Sequence, residues 1–150
     1  YVAAEIAKRG GVATLTLKNT PLIDVLATNP KKGSFTNIQV KTRSIQNKQG
    51  WVFTKKVGDR STIKNHFYIF VNLKENELPD YYIIPFNEFA DLIVDKNNRW
   101  LNEKGRGGVP RKENSVRNFK PEKGHIPFYE ADAKLGSKYK DKWEMLGIFD

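Results

Sequence analysis

The alternation of apolar and polar positions divides the chain into short periodic segments. In "YVAAEIAKRGG" (residues 1–11), Val2, Ala3 and Ile6 share one side of a helix, Lys8 and Arg9 occupy its last turn, and Gly10-Gly11 stops it. "VATLTLK" alternates with period two, Ala13, Leu15 and Leu17 on one side and threonines on the other, which predicts a strand. "LIDVLAT" and "FTNIQVKT" predict two more strands, joined by the turn residues of "NPKKGS", and "GWVFTKK" a fourth. "HFYIFVNL" is nearly all apolar, as in a strand covered on both faces. "YYIIPF" is a further strand ended by Pro85, after which Asn87 takes the N-cap position of a helix that turns Phe89, Leu92 and Ile93 inward. This order predicts an α/β (α+β) fold, a mixed β-sheet flanked by helices. Residues 1–150 form one domain with its core at about 1–97. Residues 98–150 are expected to be a basic loop and a C-terminal extension: 102–125 are rich in Gly, Pro and charge, and "KYKDKWEMLGIF" predicts a short helix docked through Trp143 and Leu146.

Charge adds a partner class. The net charge is +9, and it is uneven: residues 31–64 hold nine Lys or Arg against the single acid Asp59. Such an excess suits a polyanion, here DNA with RNA as the alternative. Arg43, Lys48, Lys55 and Lys56 from this window are the candidate phosphate contacts. "GRGGVPRK" lacks the spacing of a phosphate-binding nucleotide loop, and reads instead as a basic clamp on a nucleic-acid backbone through Arg106, Arg111 and Lys112, with Arg117 beyond it. The absence of cysteine excludes disulfides and thiolate metal sites and points to a reducing, cytoplasmic setting. No apolar run approaches the ~20 residues of a membrane span, so no membrane partner is expected. The chain starts at Tyr1 inside a predicted helix with no signal-peptide pattern, so a preceding N-terminal piece is expected. His66 and His125 are too few for a histidine-rich metal site.

The polar positions inside predicted strands matter most. On "FTNIQVKT", Ile38 and Val40 face one way while Asn37, Gln39, Lys41 and Arg43 face the other, so Gln39 and Lys41 project side by side. If the preceding strand pairs alongside, Asp24 reaches the same surface. A hard cation such as Mg²⁺ (or Mn²⁺) takes oxygen ligands and keeps several waters. Asp24 supplies a carboxylate, Gln39 a neutral oxygen, and Glu5 a second carboxylate if its helix packs beside these strands. Lys41 is then placed to orient an attacking water or to offset transition-state charge.

Asp24 followed by Gln39-Val40-Lys41 resembles the PD-(D/E)XK nuclease superfamily, whose core strands carry an aspartate and then Glu-X-Lys, often after a helix bearing a glutamate. The resemblance covers about residues 1–97. Ile23 stands where proline is usual, and Gln39 replaces the usual carboxylate, as in Mrr-like restriction enzymes. It implies a restriction-endonuclease-like three-layer core and a metal-dependent endonuclease hydrolysing DNA, with Asp24, Gln39, Lys41 and Glu5 catalytic and Asp24, Gln39 and Glu5 on the metal. Cutting both strands of a duplex would favour a homodimer. Gln39 also supports an alternative, a weak or inactive nuclease-fold protein that binds nucleic acid or a protein partner. A third reading is a mixed-sheet domain whose charge serves only solubility.

Overall fold

The structure, a computed structural model, describes residues 1–17, 21–44 and 46–149. A five-stranded mixed sheet forms its centre. After helix α1 (Val2–Lys8) come β1 (Val12–Leu15), β2 (Val25–Asn29) and β3 (Ser34–Arg43), an antiparallel meander. The ribbon strand β4 (Trp51–Thr54) and a 3-10 turn (Lys55–Gly58) then lead to β5 (His66–Lys74), which pairs parallel to β3. A parallel pair cannot be closed by a hairpin, so β4 and the 3-10 turn, within residues 46–65, cross over one face of the sheet. β6 (Glu77–Pro85) returns antiparallel to β5, giving the strand order β1-β2-β3-β5-β6.

The near-continuous apolar character of β5 is used on both faces. Ile69 and Val71 join Ile38, Val25 and Ile83 beneath Val2 and Ile6 of α1. Tyr68 and Phe70 point the other way, into an aromatic cluster with Phe86, Phe89 and Ile93 of α2 (Phe86–Asn102). In that cluster Tyr68 stacks on Phe86 at 4.4 Å, and Phe70 meets Phe89 at 4.8 Å. The fold is therefore mixed α/β, with helices on both faces of a five-stranded sheet. Among the described residues no helix is long and apolar enough to cross a membrane.

The C-terminal third differs from the expected extension: it completes both layers. Strand β7 (Val116–Phe119) pairs antiparallel with β4, so residues expected as loop form half of a two-stranded ribbon. Phe119, with Leu135 and Tyr139 of helix α3 (Glu130–Tyr139), enters the aromatic cluster. Trp143, Leu146 and Ile148 fill the opposite one, and Trp143 and Leu146 dock as expected but through a 3-10 turn. The core thus extends to Phe149. The start of α2 also departs from expectation. Pro85 occupies the N-cap position, and Asn87 lies inside the helix, accepting from the Ser61 N–H at 2.7 Å and donating to the Ser61 carbonyl at 3.0 Å. Its amide pins the crossover rather than the helix end.

Candidate active-site cleft

The β2–β3 register sets Val25 opposite Ile38 and so brings Asp24 beside Gln39. At Asp24 the ladder changes character. Its N–H donates to the Ile38 carbonyl at 2.8 Å, and its carboxylate Oδ2 accepts the Val40 N–H at 2.7 Å. The Gln39 side-chain amide donates to the same Oδ2, also at 2.7 Å. One carboxylate oxygen is thereby fixed by two donors, while Oδ1 accepts no hydrogen bond from the described residues. Gln39 is nine-tenths buried and Asp24 is exposed, so the pair spans from the sheet to solvent.

Gln39 and Lys41 line one cleft of about 520 Å³, together with Phe53, Lys56, Tyr68 and Phe86. The crossover builds its far wall and β5 its floor. Lys41 is held by its backbone, whose carbonyl accepts the Trp51 indole N–H at 3.0 Å. Its half-buried ammonium has no hydrogen bond or ion pair among the described residues. Burial pushes the Tyr68 phenol up to about 12, which keeps that wall neutral at physiological pH.

His66 supports the cleft from behind and was not among the sequence candidates. Its Nε2 lies 2.8 Å from the Leu22 carbonyl, an acceptor only, so this nitrogen carries the proton and Nδ1 accepts from the Ser61 hydroxyl at 2.8 Å. The ring stacks on Phe86 at 4.0 Å, and burial lowers its pKa. Leu22 has a positive φ of 64°, a sparsely populated conformation for a side chain of its size, and His66 holds it there two residues before Asp24. The signal in the sequence was a lone histidine opening an otherwise apolar strand.

Two of the expected site residues lie elsewhere. Glu5 does not reach Asp24. Helix α1 covers the face carrying Ile38, whereas Gln39 and Lys41 emerge on the other; Glu5 instead pairs with Arg9, whose guanidinium lies 4.6 Å over the Trp143 ring. Arg43 has the strand parity of Gln39 and Lys41 but is 7 % exposed. It donates to Asn72 Oδ1 at 3.0 and 2.7 Å, pairs with Glu122 and stacks on Trp51 at 4.5 Å. That guanidinium is a structural tie, not a free phosphate contact. Lys48, Lys55, Lys56, Arg106 and Lys112 are exposed, and Lys56 lines the cleft itself. Arg111 turns toward Trp100 and lines a separate cavity.

Comparison with protein-family models, with curated proteins and with solved structures gives no match. Among the described residues no three of His, Cys, Asp and Glu are grouped as metal ligands. A cation at this site would have the free Asp24 Oδ1 and the Gln39 side-chain oxygen, a set suited to an ion that keeps most of its waters.

Proposed function

We propose that this protein is a metal-dependent nuclease that hydrolyses phosphodiester bonds in DNA, with a restriction-endonuclease-like core. The observation that carries the proposal is the Asp24 carboxylate, held at 2.7 Å against Gln39 beside a cleft into which Lys41 projects with no partner among the described residues. The order α1–β1–β2–β3, with Asp24 just before one strand and Gln39-Val40-Lys41 on the next, supports that core. The crossover to β5 is a departure, since it carries β4 and a 3-10 turn where the superfamily's pattern has a helix.

Asp24 and Gln39 would hold Mg²⁺ or Mn²⁺, which supplies polarisation of the phosphate and a bound water of lowered pKa. Asp24 keeps its geometry because Val40 and Gln39 fix Oδ2, so Oδ1 is presented without reorganisation. Lys41 orients the attacking water and offsets charge developing on the phosphate oxygens. Lys55, Lys56 and Lys48 attract the backbone without reading sequence, so affinity falls steeply with salt.

Cleavage of plasmid and oligonucleotide DNA with Mg²⁺ or Mn²⁺ tests the proposal. Lys41→Ala should lower the rate by about a hundred- to a thousandfold and leave DNA binding nearly unchanged. Undiminished cleavage by that variant removes Lys41 from the mechanism. The second reading, binding without cutting, draws on the Gln39 amide, which donates to the very carboxylate a cation would use. Calorimetry separates the two. A divalent-ion site lost in Asp24→Asn supports catalysis; no such site, together with cleavage gained in Gln39→Glu, supports a decayed catalyst.

A further inference from the structure

A second cavity, of about 450 Å³, lies between the C-terminal half of α2, β7 and the turn Pro127–Tyr129. Its volume is that of a small-molecule site. Trp100, Phe128 and Tyr129 supply aromatic surface, and Arg111 and Arg117 supply cations.

Both guanidiniums are aimed by backbone. Arg111 donates to the Trp100 carbonyl at 3.0 Å and stands 5.0 Å over the Trp100 ring. Arg117 donates to the carbonyls of Asn114 and Val116 at 2.7 and 2.9 Å. Their carboxylate partners, Glu103 and Glu113, have side chains 65 % and 52 % exposed. The carboxylates face solvent while the guanidiniums are largely covered, so an incoming anion can replace a carboxylate while the carbonyls keep each guanidinium in place. Deeper in, Lys96 is matched by Asp132 at 2.7 Å, which leaves the floor without net charge. Its ammonium contacts the rings of Phe128 and Tyr129 at 4.9 and 4.7 Å and so orients them.

Position adds an independent point. Val52, Phe53 and Thr54 of β4 line the cleft of Gln39 and Lys41, while their register partners Asn118, Arg117 and Val116 of β7 line this cavity. The two sites therefore flank the same two-stranded ribbon, one against each of its strands.

We propose that this cavity binds a nucleotide, its base against the aromatic side chains and its phosphate on Arg111 and Arg117. A free nucleotide and an unpaired nucleotide in a strand lying along the cleft of Gln39 and Lys41 share this chemistry. The second source rests on the nuclease reading; the first does not.

Calorimetric titration with adenosine 5′-monophosphate, with inorganic phosphate and with a short single-stranded deoxyoligonucleotide tests the proposal. The wild-type chain is compared with Trp100→Leu, Arg111→Gln and Asp24→Asn. One-site binding of the monophosphate, weakened roughly tenfold in Trp100→Leu and in Arg111→Gln and unchanged in Asp24→Asn, supports the free nucleotide. Binding of the oligonucleotide alone, weakened to the same degree by the same two variants, supports the polymer. Binding of neither, or binding indifferent to both substitutions in chains shown folded by circular dichroism, overturns the proposal. Arg111 is a surface loop residue, so its variant keeps the test open if Trp100→Leu misfolds. Loss of cleavage in Asp24→Asn with nucleotide binding intact separates this cavity from the nuclease reading.

Discussion

Lys41 and Lys96 carry the same ammonium on the same flexible stem, and the fold treats them oppositely. Lys96, on α2, is 4 % exposed and fully matched: both oxygens of Asp132 at 2.9 and 2.7 Å, the Asn118 carbonyl at 2.7 Å and two aromatic rings. Burial pushes Lys96 down and Asp132 up, and their mutual attraction opposes both shifts. Asp132 Oδ2 also accepts the Lys120 N–H at 2.8 Å, so the pair ties α2, β7 and α3 together. Lys41 is half-buried beside an aromatic wall and has no partner among the described residues. A cation that serves the fold is given its counter-charge within the chain; the one left without it is, on the proposed reading, the one that meets a phosphate.

The sharpest way to break this comparison is to remove the counter-charge. Asp132→Ala leaves Lys96 buried and unpaired, and should cost about 3–5 kcal/mol of stability. Lys41→Met should change stability by no more than about 0.5 kcal/mol. Urea unfolding of both variants at neutral pH measures the difference. Equal losses would mean that Lys41 also holds the fold, and its place in the cleft would lose its meaning.

Arg43 and Lys56 extend the contrast at smaller amplitude. Arg43→Leu leaves the half-buried Asn72 Oδ1 without its donors and should cost roughly 1–3 kcal/mol, with the salt dependence of DNA binding unaltered. Lys56→Ala should do the reverse, lowering the slope of log affinity against log salt by about one with stability nearly constant. Titrations at several salt concentrations, alongside unfolding curves, decide whether the two arginine and lysine roles have been separated correctly.

These pairs also show what the amino-acid order could reveal. Period-two alternation on β3 was enough to place Gln39 and Lys41 on one surface, and antiparallel pairing was enough to bring Asp24 there. The apolar runs marked β5 and β6 for the same local reason. Arg43 shares the parity of Lys41, but its fate depends on Asn72 and on Glu122, 79 positions away, which no local pattern reports. Glu5 failed on a similar point: its helix has a legible apolar side, yet nothing local states which face of the sheet that side will cover. β7 escaped notice because four residues give little period, and its partner β4 lies more than sixty positions upstream.

His66 gives the finest division of the molecule, between the cleft and its support. The folded chain holds it neutral, with Nε2 donating to Leu22 and Nδ1 accepting from Ser61, and burial lowers its pKa. As pH falls, the unfolded chain takes up a proton first, near the ordinary value of about 6.5. The contribution of His66 is therefore complete above that value and is lost as pH drops through it toward the lower folded pKa. His66→Gln keeps a donor for Leu22 and removes the titration, so its urea midpoint should change less than that of the parent between about pH 7 and about pH 5. Carboxylates with lowered pKa, among them Asp80 and Glu113, titrate below this window, and Asp132, which burial raises, is common to parent and variant and drops out of the difference between them. If parent and variant lose stability in parallel, the histidine does not hold Leu22 by its neutral form. The positive φ before Asp24 must then be maintained by the Phe86 stack and the strand register alone.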